Sequence, residues 1–599
     1  MELKQRNQMD PRFQWDFTHI FPDKAAWENA YAAAEERINA LPALSGTLGQ
    51  SAASLKKAMD ELTEAERQAF LVYVYASLHK SGDNGDPDYQ AMEARSVTLF
   101  VRFETNTAFM TPEILAIPPE TLAKYMQDEG LATYRHQVED ICRARAHTLD
   151  EAGETLLAKL SDAAQTPDNA FTMLESVDMA FPKIKDENGE EVTLTHGNFA
   201  VYRESTDRRV RKDAFEAYFS EFNRYINTFA ALYSGSVKFD CFHADARHYP
   251  GACEAALFRS NVPVAVYDSL VSAIHARLST MRQYLELRKK ALGLDELNMY
   301  DLYNPMVPSV DFHVTFEEAK ALIKEALKPL GEEYGKLLDK AYAENWMDVY
   351  ENKGKTTGAF SCGVYGVHPY VLLNYTDTLD DAFTMAHELG HAMHSYKSSE
   401  AQDYANHNYR ILVAEVASTV NEVLLLKHLL KVEKDEKRRA YLLNHFLEGF
   451  RTTVFRQSLF AEFERKTHEM AAAGEPLTAQ TLNRVYRELN ELYYDGAVVN
   501  DLQEIEWARI PHFYNAFYVY QYATGYCSAV AIANRILETG DPSAYLKFLS
   551  LGGSQYPLDE LKTAGVDLTE PGAVLSSLDV FQSTVDELSA LLGNLRKEA

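Results

Sequence analysis

The segment AHELGHAMH (386–394) constrains the fold more than any other part of the sequence. Its histidines His387 and His391 are four residues apart, and four residues of an α-helix turn the chain by about 400°. Both imidazoles then leave one helix face, where their nitrogens can approach one cation at about 2.0–2.1 Å. The preceding DDAFTMA carries two acids that suit a helix N-terminus. We therefore expect a helix that offers two metal ligands.

Glu388 directly follows the first histidine, so its side chain flanks a metal on that face without binding it. This is the position of a base for a water that the metal activates. The alternative is a helix that carries the five-residue pattern by chance. His394, three residues beyond His391, is interpreted as a core histidine or as one that supports a ligand.

A third ligand is expected because catalytic zinc commonly has three protein ligands and one open position. The segment YRILVAEVASTVNEVLLLKHLL (409–430) predicts a strongly apolar helix, with Glu415 between its ILVA and VAST. A carboxylate among such neighbours is costly to bury unless it is paired or metal-bound. Glu415 is the candidate ligand, and an ion pair with Lys or Arg is the alternative. Glu422, two turns further on, is a weaker candidate with a supporting or exposed role.

Apolar residues recur at helical spacing through much of the remaining chain, which predicts a mainly α protein. Thr315 and Asp435 are plausible start signals for two of these helices. The clearest helical segments are 25–41, 232–242, 262–292, 316–346 and 440–473.

Strand signals are few. Segment 183–205 could form a hairpin that turns at Asn188-Gly189. Segment 358–378 is Gly-rich, then β-branched and aromatic, and ends shortly before the histidine motif. A peptide could add to it as a further strand, with Gly363 and Gly366 allowing a close approach. The alternative is a purely structural hairpin.

The composition excludes several classes of protein. The formal net charge of -29 argues against a nucleic-acid partner, because phosphate binding depends on Lys and Arg. The five cysteines are scattered and include no CxxC pair, which argues against a disulfide scaffold and favours a reducing compartment. The N-terminal residues include no apolar signal region, and no run of 18 apolar residues occurs. We therefore expect a cytoplasmic protein without a membrane span.

HELGHAMH together with AEVASTVNE resembles the thimet-type oligopeptidases, and within them oligoendopeptidase F. The stretches GAFSCGVYGVHPYVLLNYTDT and IPHFYNAFYVYQYATG (510–525) are similar to that family too, and the similarity runs from about 200 to 580. The resemblance implies a mainly α fold with a small β element next to the HExxH helix. It also implies two helical halves that enclose a deep substrate channel, which admits only short, unstructured peptides.

The resemblance also implies roles for particular residues. His387, His391 and Glu415 match the ligands of one Zn²⁺ per chain, and Glu388 matches the general base. Zinc, in preference to manganese or cobalt, rests on ligand chemistry and on the family. The expected organisation is an N-terminal helical region (1–115), a helical oligopeptidase F-type segment (116–200) and a zinc metallopeptidase catalytic region (201–599).

A second cluster could stabilise the oxyanion that forms when a peptide carbonyl is attacked. His512, Tyr514, Tyr518, Tyr520 and Tyr522 all offer hydrogen-bond donors. On a helix, Tyr514, Tyr518 and Tyr522 would drift by only about 40° per step and share a face. The resemblance implies a histidine followed by tyrosines that hold substrate and oxyanion, although the spacing here departs slightly from the family pattern. We assign His512, then Tyr522 and Tyr518; ordinary core or channel-wall aromatics are the alternative.

The predicted function is a zinc-dependent metalloendopeptidase that hydrolyses short, unstructured oligopeptides with water activated on zinc. Glu388 would take the proton and pass it to the leaving amine. One alternative is a dipeptidyl carboxypeptidase-type exopeptidase, which needs a positive group for the substrate C-terminus; Arg509 is a candidate for binding such a carboxylate. The other is a non-catalytic zinc peptide-binding protein, which has no need of Glu388. Expected partners are short peptides, without nucleic acid or membrane, and the chain is expected to be a monomer or homodimer.

Overall fold

The computed structural model describes residues 3–307 and 312–598. These residues form a mainly α protein with small sheets, as predicted. They divide into two compact units, each assembled from three stretches of chain. The channel and the three-part division along the chain stay predictions. Unit 1 is Met1–Ala146, Phe312–Lys427 and Ile532–Gly565, and unit 2 is His147–Asp311, His428–Ala531 and Val566–Ala599.

The secondary structure is listed here in chain order. Helices α1 to α6 are Lys24–Ala40, Ala52–Gly82, Pro87–Thr107, Met110–Ala116, Pro119–Tyr125 and Arg135–Arg143. Helices α7 to α14 are Glu151–Ala164, Thr166–Met173, His196–Arg203, Arg208–Arg224, Ile226–Ala246, Ala252–Phe258, Val264–His275 and Leu278–Ala291. Helices α15 to α18 are Phe316–Ala326, Glu332–Ala343, Leu379–Ala401 and Ile411–Val432. Helices α19 to α25 are Glu436–Gly449, Arg456–Ala472, Ala479–Tyr493, Tyr520–Thr539, Ser543–Phe548, Pro557–Thr563 and Gly572–Glu598. Strands β1 to β5 are Lys183–Lys185, Glu191–Thr193, Met347–Asp348, Phe360–Cys362 and Tyr370–Leu372.

A three-stranded sheet in unit 1 supports the helix that carries the histidine motif. Its order is β3-β5-β4, with β3 parallel and β4 antiparallel to the central strand. The buried side chains of β5 pack with Trp15 and with Val74 and Leu78 of α2, and α17 lies against β4 and β5. The predicted β element next to the motif helix is therefore confirmed.

Aromatic side chains dominate the core of unit 2 around α9, α10 and α11. Phe199 stacks on Tyr218 with ring centroids 3.9 Å apart, and Phe222 contacts Phe229 at 5.4 Å. The antiparallel β1-β2 hairpin packs on α10. It turns where Gly189 has a φ of +82°, a conformation that favours glycine, as the Asn-Gly pair predicts.

Two long predicted helices are each divided in the structure. The segment 262–292 forms α13 and α14, because Arg277 between them leaves the helical region at φ -124° and ψ 12°. The segment 316–346 forms α15 and α16, separated by Pro329 and by Gly331 with a φ of +92°. The predicted start signals are confirmed, since Thr315 caps α15 and Asp435 caps α19.

The lengths and hydropathies of the helices test the expectation that the chain has no membrane span. None of those within the described residues combines the length and apolar character that a bilayer crossing requires. The five cysteines are free thiols.

Candidate metal centre and active-site residues

Helix α17 is started by a reciprocal cap and runs for 23 residues. The Thr378 hydroxyl accepts a hydrogen bond from the Asp381 N–H at 3.2 Å, and the Asp381 carboxylate accepts one from the Thr378 N–H at 3.0 Å. The uninterrupted helix places His387 and His391 on one face. Their Nε2 atoms lie 3.2 Å apart, which confirms the geometry expected from the spacing.

Helix α18 crosses α17 closely because Gly390 has no side chain. A Cβ on Gly390 would lie 2.5 Å from the Ser418 Cα and 2.6 Å from the Ala417 carbonyl oxygen. Next to this crossing, the buried Asn421 amide donates to the Ala386 carbonyl at 3.0 Å. The two helices are therefore held together at the level of the histidine motif.

This crossing brings Glu415 to the two histidines. Its Oε2 lies 3.3 Å from the His387 Nε2 and 3.5 Å from the His391 Nε2. Three ligands of a tetrahedral zinc site, each at about 2.0–2.1 Å from the ion, are themselves about 3.3 Å apart. The three measured edges fit that triangle, so these residues could hold one divalent cation. No other group of three or more His, Cys, Asp or Glu side chains converges in this way among the described residues.

Two further side chains orient the candidate ligands. The Glu422 Oε1 lies 2.5 Å from the His387 Nδ1, and the Ser418 hydroxyl donates to the Glu415 Oε2 at 3.2 Å. A metal-bound histidine commonly donates its second ring N–H to a carboxylate, which fixes the ring and leaves the other nitrogen to the metal. The structure thus places Glu422 in the supporting position that the sequence favoured.

The charges of this group favour a cation at its centre. Burial lowers the pKa of His387, but hydrogen bonds to Glu415 and Glu422 outweigh it and raise that pKa to about 10. The same bonds, from His387 and His391, hold the pKa of the Glu415 carboxyl well below its usual range. The carboxylates therefore favour positive charge among the donor atoms, which a divalent cation would supply.

Glu388 has the environment of a base. Its side chain is buried, with a relative exposure of 7%, and burial raises its pKa although His387 and His391 oppose that shift. No hydrogen bond joins its carboxylate to another of the described residues, so it is available to water or substrate. His394, by contrast, belongs to the core: it stacks on Tyr409 with ring centroids 3.7 Å apart, and burial lowers its pKa to about 3.

The candidate residues of unit 2 also form a cluster. The Tyr522 hydroxyl lies 3.5 Å from the His512 Nε2, and the Tyr518 ring centroid is 6.2 Å from that of His512 and 5.4 Å from that of Tyr522. Partial desolvation of the imidazole lowers the pKa of His512, so the ring is neutral at neutral pH. The cluster can therefore donate hydrogen bonds without carrying a charge.

The expectation that Tyr514, Tyr518 and Tyr522 share one helix face is wrong. Helix α22 begins only at Tyr520, and a short 3₁₀ helix, Pro511–Tyr514, precedes it. Phe517 between them has a φ of +59°, which ends helical geometry. The structure selects among the tyrosines by packing: the Tyr514 ring lies against Phe171 at 4.7 Å and the buried Tyr520 ring against Tyr267 at 5.3 Å.

Two supporting residues, Gly390 and Glu464, have no role in the sequence predictions, and a third, Gly363, has a different position from the one expected. Gly390 could have been suspected, because a glycine inside a helix often marks close packing. Glu464 is fully buried and accepts a hydrogen bond from the Phe517 N–H at 3.1 Å; its only signal is a carboxylate in an apolar helix. Gly363, expected to admit substrate, instead faces α17: a Cβ there would lie 2.7 Å from the Ser395 Cβ.

The model of peptidase family M3 matches residues 201–580. The chain belongs to peptidase family M3. A second model, described as Oligopeptidase F, matches residues 113–181. Membership of the M3 family confirms the predicted enzyme class, a metalloendopeptidase that hydrolyses oligopeptides.

Individual M3 relatives are similar over nearly their whole length. Oligopeptidase PepF of Bacillus subtilis (strain 168) is 43% identical over 600 residues, covering 100% of this chain and 90% of the relative. An oligoendopeptidase F homolog of Lactococcus lactis subsp. lactis (strain IL1403) is 39% identical, covering 98% of this chain and 99% of the relative. The crystal structure of oligoendopeptidase-F from Enterococcus faecium superposes with a TM-score of 0.74 at 36% identity, covering 95% of this chain and 99% of that one.

Proposed function

We propose that this M3 peptidase cleaves internal bonds of short, unstructured oligopeptides with one Zn²⁺ held by His387, His391 and Glu415. The observation that carries the proposal is the triangle of donor atoms, with edges of 3.2, 3.3 and 3.5 Å. Two imidazoles and one carboxylate suit zinc, and Glu422 supports one of the imidazoles as in other zinc sites.

Glu388 is the proposed general base. When bound, the metal ion would lower the pKa of a water and polarise a substrate carbonyl. Glu388 accepts the proton of the attacking water and later delivers it to the leaving amine. Its buried carboxyl has a raised pKa, which brings it closer to the pH at which a base and acid must both function.

His512, Tyr522 and Tyr518 are the proposed donors for the developing negative charge. The proposal for them rests on the resemblance and on their mutual contacts, in which neutral N–H and O–H groups lie side by side. Preformed donors of this kind stabilise a transition state because they need no rearrangement as charge develops. Tyr522 is assigned first, since its hydroxyl approaches the imidazole.

The proposal also covers partners and location. The substrates are short peptides, and nucleic acid is disfavoured by the net charge of -29. We place the protein in the cytoplasm, because its cysteines are free thiols. A monomer or a homodimer satisfies the proposed chemistry.

The test of the mechanism is Glu388→Gln, which removes the base and keeps the shape of the side chain. We expect kcat to fall by about 10²–10⁴-fold while zinc content stays at that of the wild type. The matched control is Glu400→Gln on the same helix, whose exposed carboxylate pairs with Lys397 at 3.2 Å. Near-normal kcat in Glu388→Gln would exclude Glu388 as the base.

The endopeptidase assignment has a separate test. A fluorogenic peptide blocked at both termini is expected to be cleaved internally, to resist cleavage after treatment with a chelator, and to be cleaved again after Zn²⁺ is restored. Cleavage that requires a free C-terminal carboxylate would favour the exopeptidase alternative.

A further inference from the structure

Unit 2 encloses a small cavity that lies among arginine side chains. The free volume of the cavity is about 20 Å³. A volume of about 10–15 Å³, measured in the same way, is enough for one particle the size of a water molecule. The polar side chains that line it include Arg203, Tyr303, Arg456, Tyr494, Glu506 and Arg509.

The lining carries three guanidinium groups and only one carboxylate. Glu506 is already engaged: it accepts hydrogen bonds from Arg456, Tyr486 and Gln503, each at 2.7 Å. Arg509 approaches it only to 3.8 Å. The single negative charge is therefore used mainly by Arg456.

Arg203 has no carboxylate within ion-pair distance among the described residues. Its side chain lies over the Tyr303 ring, 3.9 Å from the centroid, and its buried Nε has no hydrogen-bond partner. Burial lowers the pKa of Arg203, and the neighbouring Arg509 and Arg456 lower it further, whereas Tyr303 and Glu204 raise it. Arg203 is only half-buried, but its guanidinium lies beside two others with a single carboxylate among them, so an added negative charge would offset their mutual repulsion.

Tyr303 reports the same excess of positive charge. Its ring lies between Arg203 and Arg451, whose guanidinium is 4.5 Å from the centroid. Burial raises the pKa of Tyr303, yet Arg456, Arg451 and Arg203 together bring it down to about 8. The field at this point therefore favours an anion even against desolvation.

Unused donors complete the site. The hydroxyl of Tyr494, a residue with 2% exposure, has no hydrogen-bond partner, and neither has the buried Nε of Arg509. We propose that the cavity binds one small monovalent anion of the size of chloride, held by Arg203, Arg509 and the Tyr494 hydroxyl. The anion neutralises the surplus guanidinium charge and ties α9 to the short 3₁₀ helix Glu506–Arg509. A water molecule of equal size would satisfy the donors but leave the charge.

The first test measures the melting temperature of the metal-loaded full chain while sodium chloride replaces sodium gluconate at constant ionic strength. We expect a saturable rise of about 2–4 °C. Arg203→Met is expected to lose that rise. The matched control Arg484→Met, at an exposed arginine of α21 paired with Glu488, is expected to keep it. A rise that persists in Arg203→Met, or no rise in the wild type, overturns the proposal.

The second test does not depend on the arginine variant folding. Crystals of the wild-type enzyme soaked in sodium bromide are expected to show an anomalous peak in the cavity, and Tyr494→Phe is expected to raise the chloride concentration at half-saturation. Absence of the peak overturns the proposal. A phenolate that ionises near pH 8 in the presence of chloride also overturns the proposal, because Tyr303 would then supply the negative charge itself. Ultraviolet absorbance detects this phenolate, and its loss in Tyr303→Phe would assign it to Tyr303.

Discussion

The two candidate groups of catalytic side chains are constructed in different ways. In unit 1, His387, His391 and Glu415 project from two regular helices, and their donor atoms lie 3.2–3.5 Å apart. In unit 2, His512 lies in a short 3₁₀ helix and Tyr518 on irregular backbone before α22, and the rings of the cluster are 5.4–6.2 Å apart. The spacing in the first group suits ligands around one ion. The wider spacing in the second suits side chains that surround a larger chemical group.

Their supports differ accordingly. Helices α17 and α18 are locked by the contact at Gly390 and by the hydrogen bond from Asn421. The segment before α22 is held at Phe517, in a left-handed conformation that is unfavourable for a bulky residue, by the buried carboxyl of Glu464. Regular secondary structure therefore secures the first group, whereas a buried acceptor helps to hold the backbone of the second.

Removal of a ligand is the largest change that the comparison predicts. Glu415→Ala is expected to lose its metal ion and with it all measurable turnover, because two imidazoles alone form an incomplete site. Elemental analysis after dialysis measures the loss. Full metal content in this variant would mean that Glu415 is not a ligand and that the triangle of donors is incidental.

Removal of a donor in the second group should leave the metal in place. Tyr522→Phe is expected to lower kcat by about 10²–10³-fold, as expected for one lost donor to an oxyanion. Tyr518→Phe is expected to have a smaller effect. The control is Tyr520→Phe, two residues away, whose buried ring packs against Tyr267; equal losses in all three variants would indicate a structural effect only.

The close helix crossing is the next target. Gly390→Ala places a methyl group against the backbone at Ser418 and is expected to lower the free energy of unfolding by about 1–3 kcal/mol and to weaken metal binding. Gly335→Ala in α16 meets nothing within 4 Å and is expected to gain about 0.5–1 kcal/mol. Urea titrations and competition with a chelator measure both quantities. A stable Gly390→Ala with normal affinity would show that the helices can separate without harm.

The smallest expected change concerns the support of the second group. Burial raises the pKa of Glu464 well above its usual value, which favours the neutral carboxyl, a group that an amide can replace. Glu464→Gln is expected to be at least as stable as the wild type at pH 7, because ionisation of the unfolded-state carboxyl above about pH 4.5 favours unfolding of the wild type only.

The paired variant removes the acceptor itself. Glu464→Ala leaves the Phe517 N–H without its acceptor and is expected to cost about 1–3 kcal/mol in thermal or urea unfolding. If Gln were as damaging as Ala, the carboxyl would have to be ionised in the folded protein.

Much of the candidate metal site and several helix starts could be predicted from the sequence because the signals are local. The spacing of His387 and His391 determines their common face, and the caps at Thr315 and Asp435 determine where helices begin. Glu415 was recognised because a carboxylate in an apolar helix needs a partner. In each case the informative residues lie within a few turns of one another.

The irregular segments could not be predicted in this way. Helical periodicity predicts one face for Tyr514, Tyr518 and Tyr522, but the left-handed Phe517 delays the start of the helix to Tyr520. The arginine cavity has no local signal at all, since Arg203, Tyr303 and Arg509 are about a hundred or more residues apart. Such contacts depend on how distant elements pack.

The sequence by itself determined the enzyme class, the mainly α fold and the direction in which the two motif histidines point. These follow from 3.6-residue periodicity, from the chemistry of imidazole and carboxylate ligands and from resemblance along most of the chain. Only the tertiary structure decided that Glu415 meets the histidines, that Glu422 orients one of them and that packing sets Tyr518 and Tyr522 apart from the other tyrosines. The reason is that periodicity fixes directions within one element, whereas distances between elements depend on close packing such as that at Gly390.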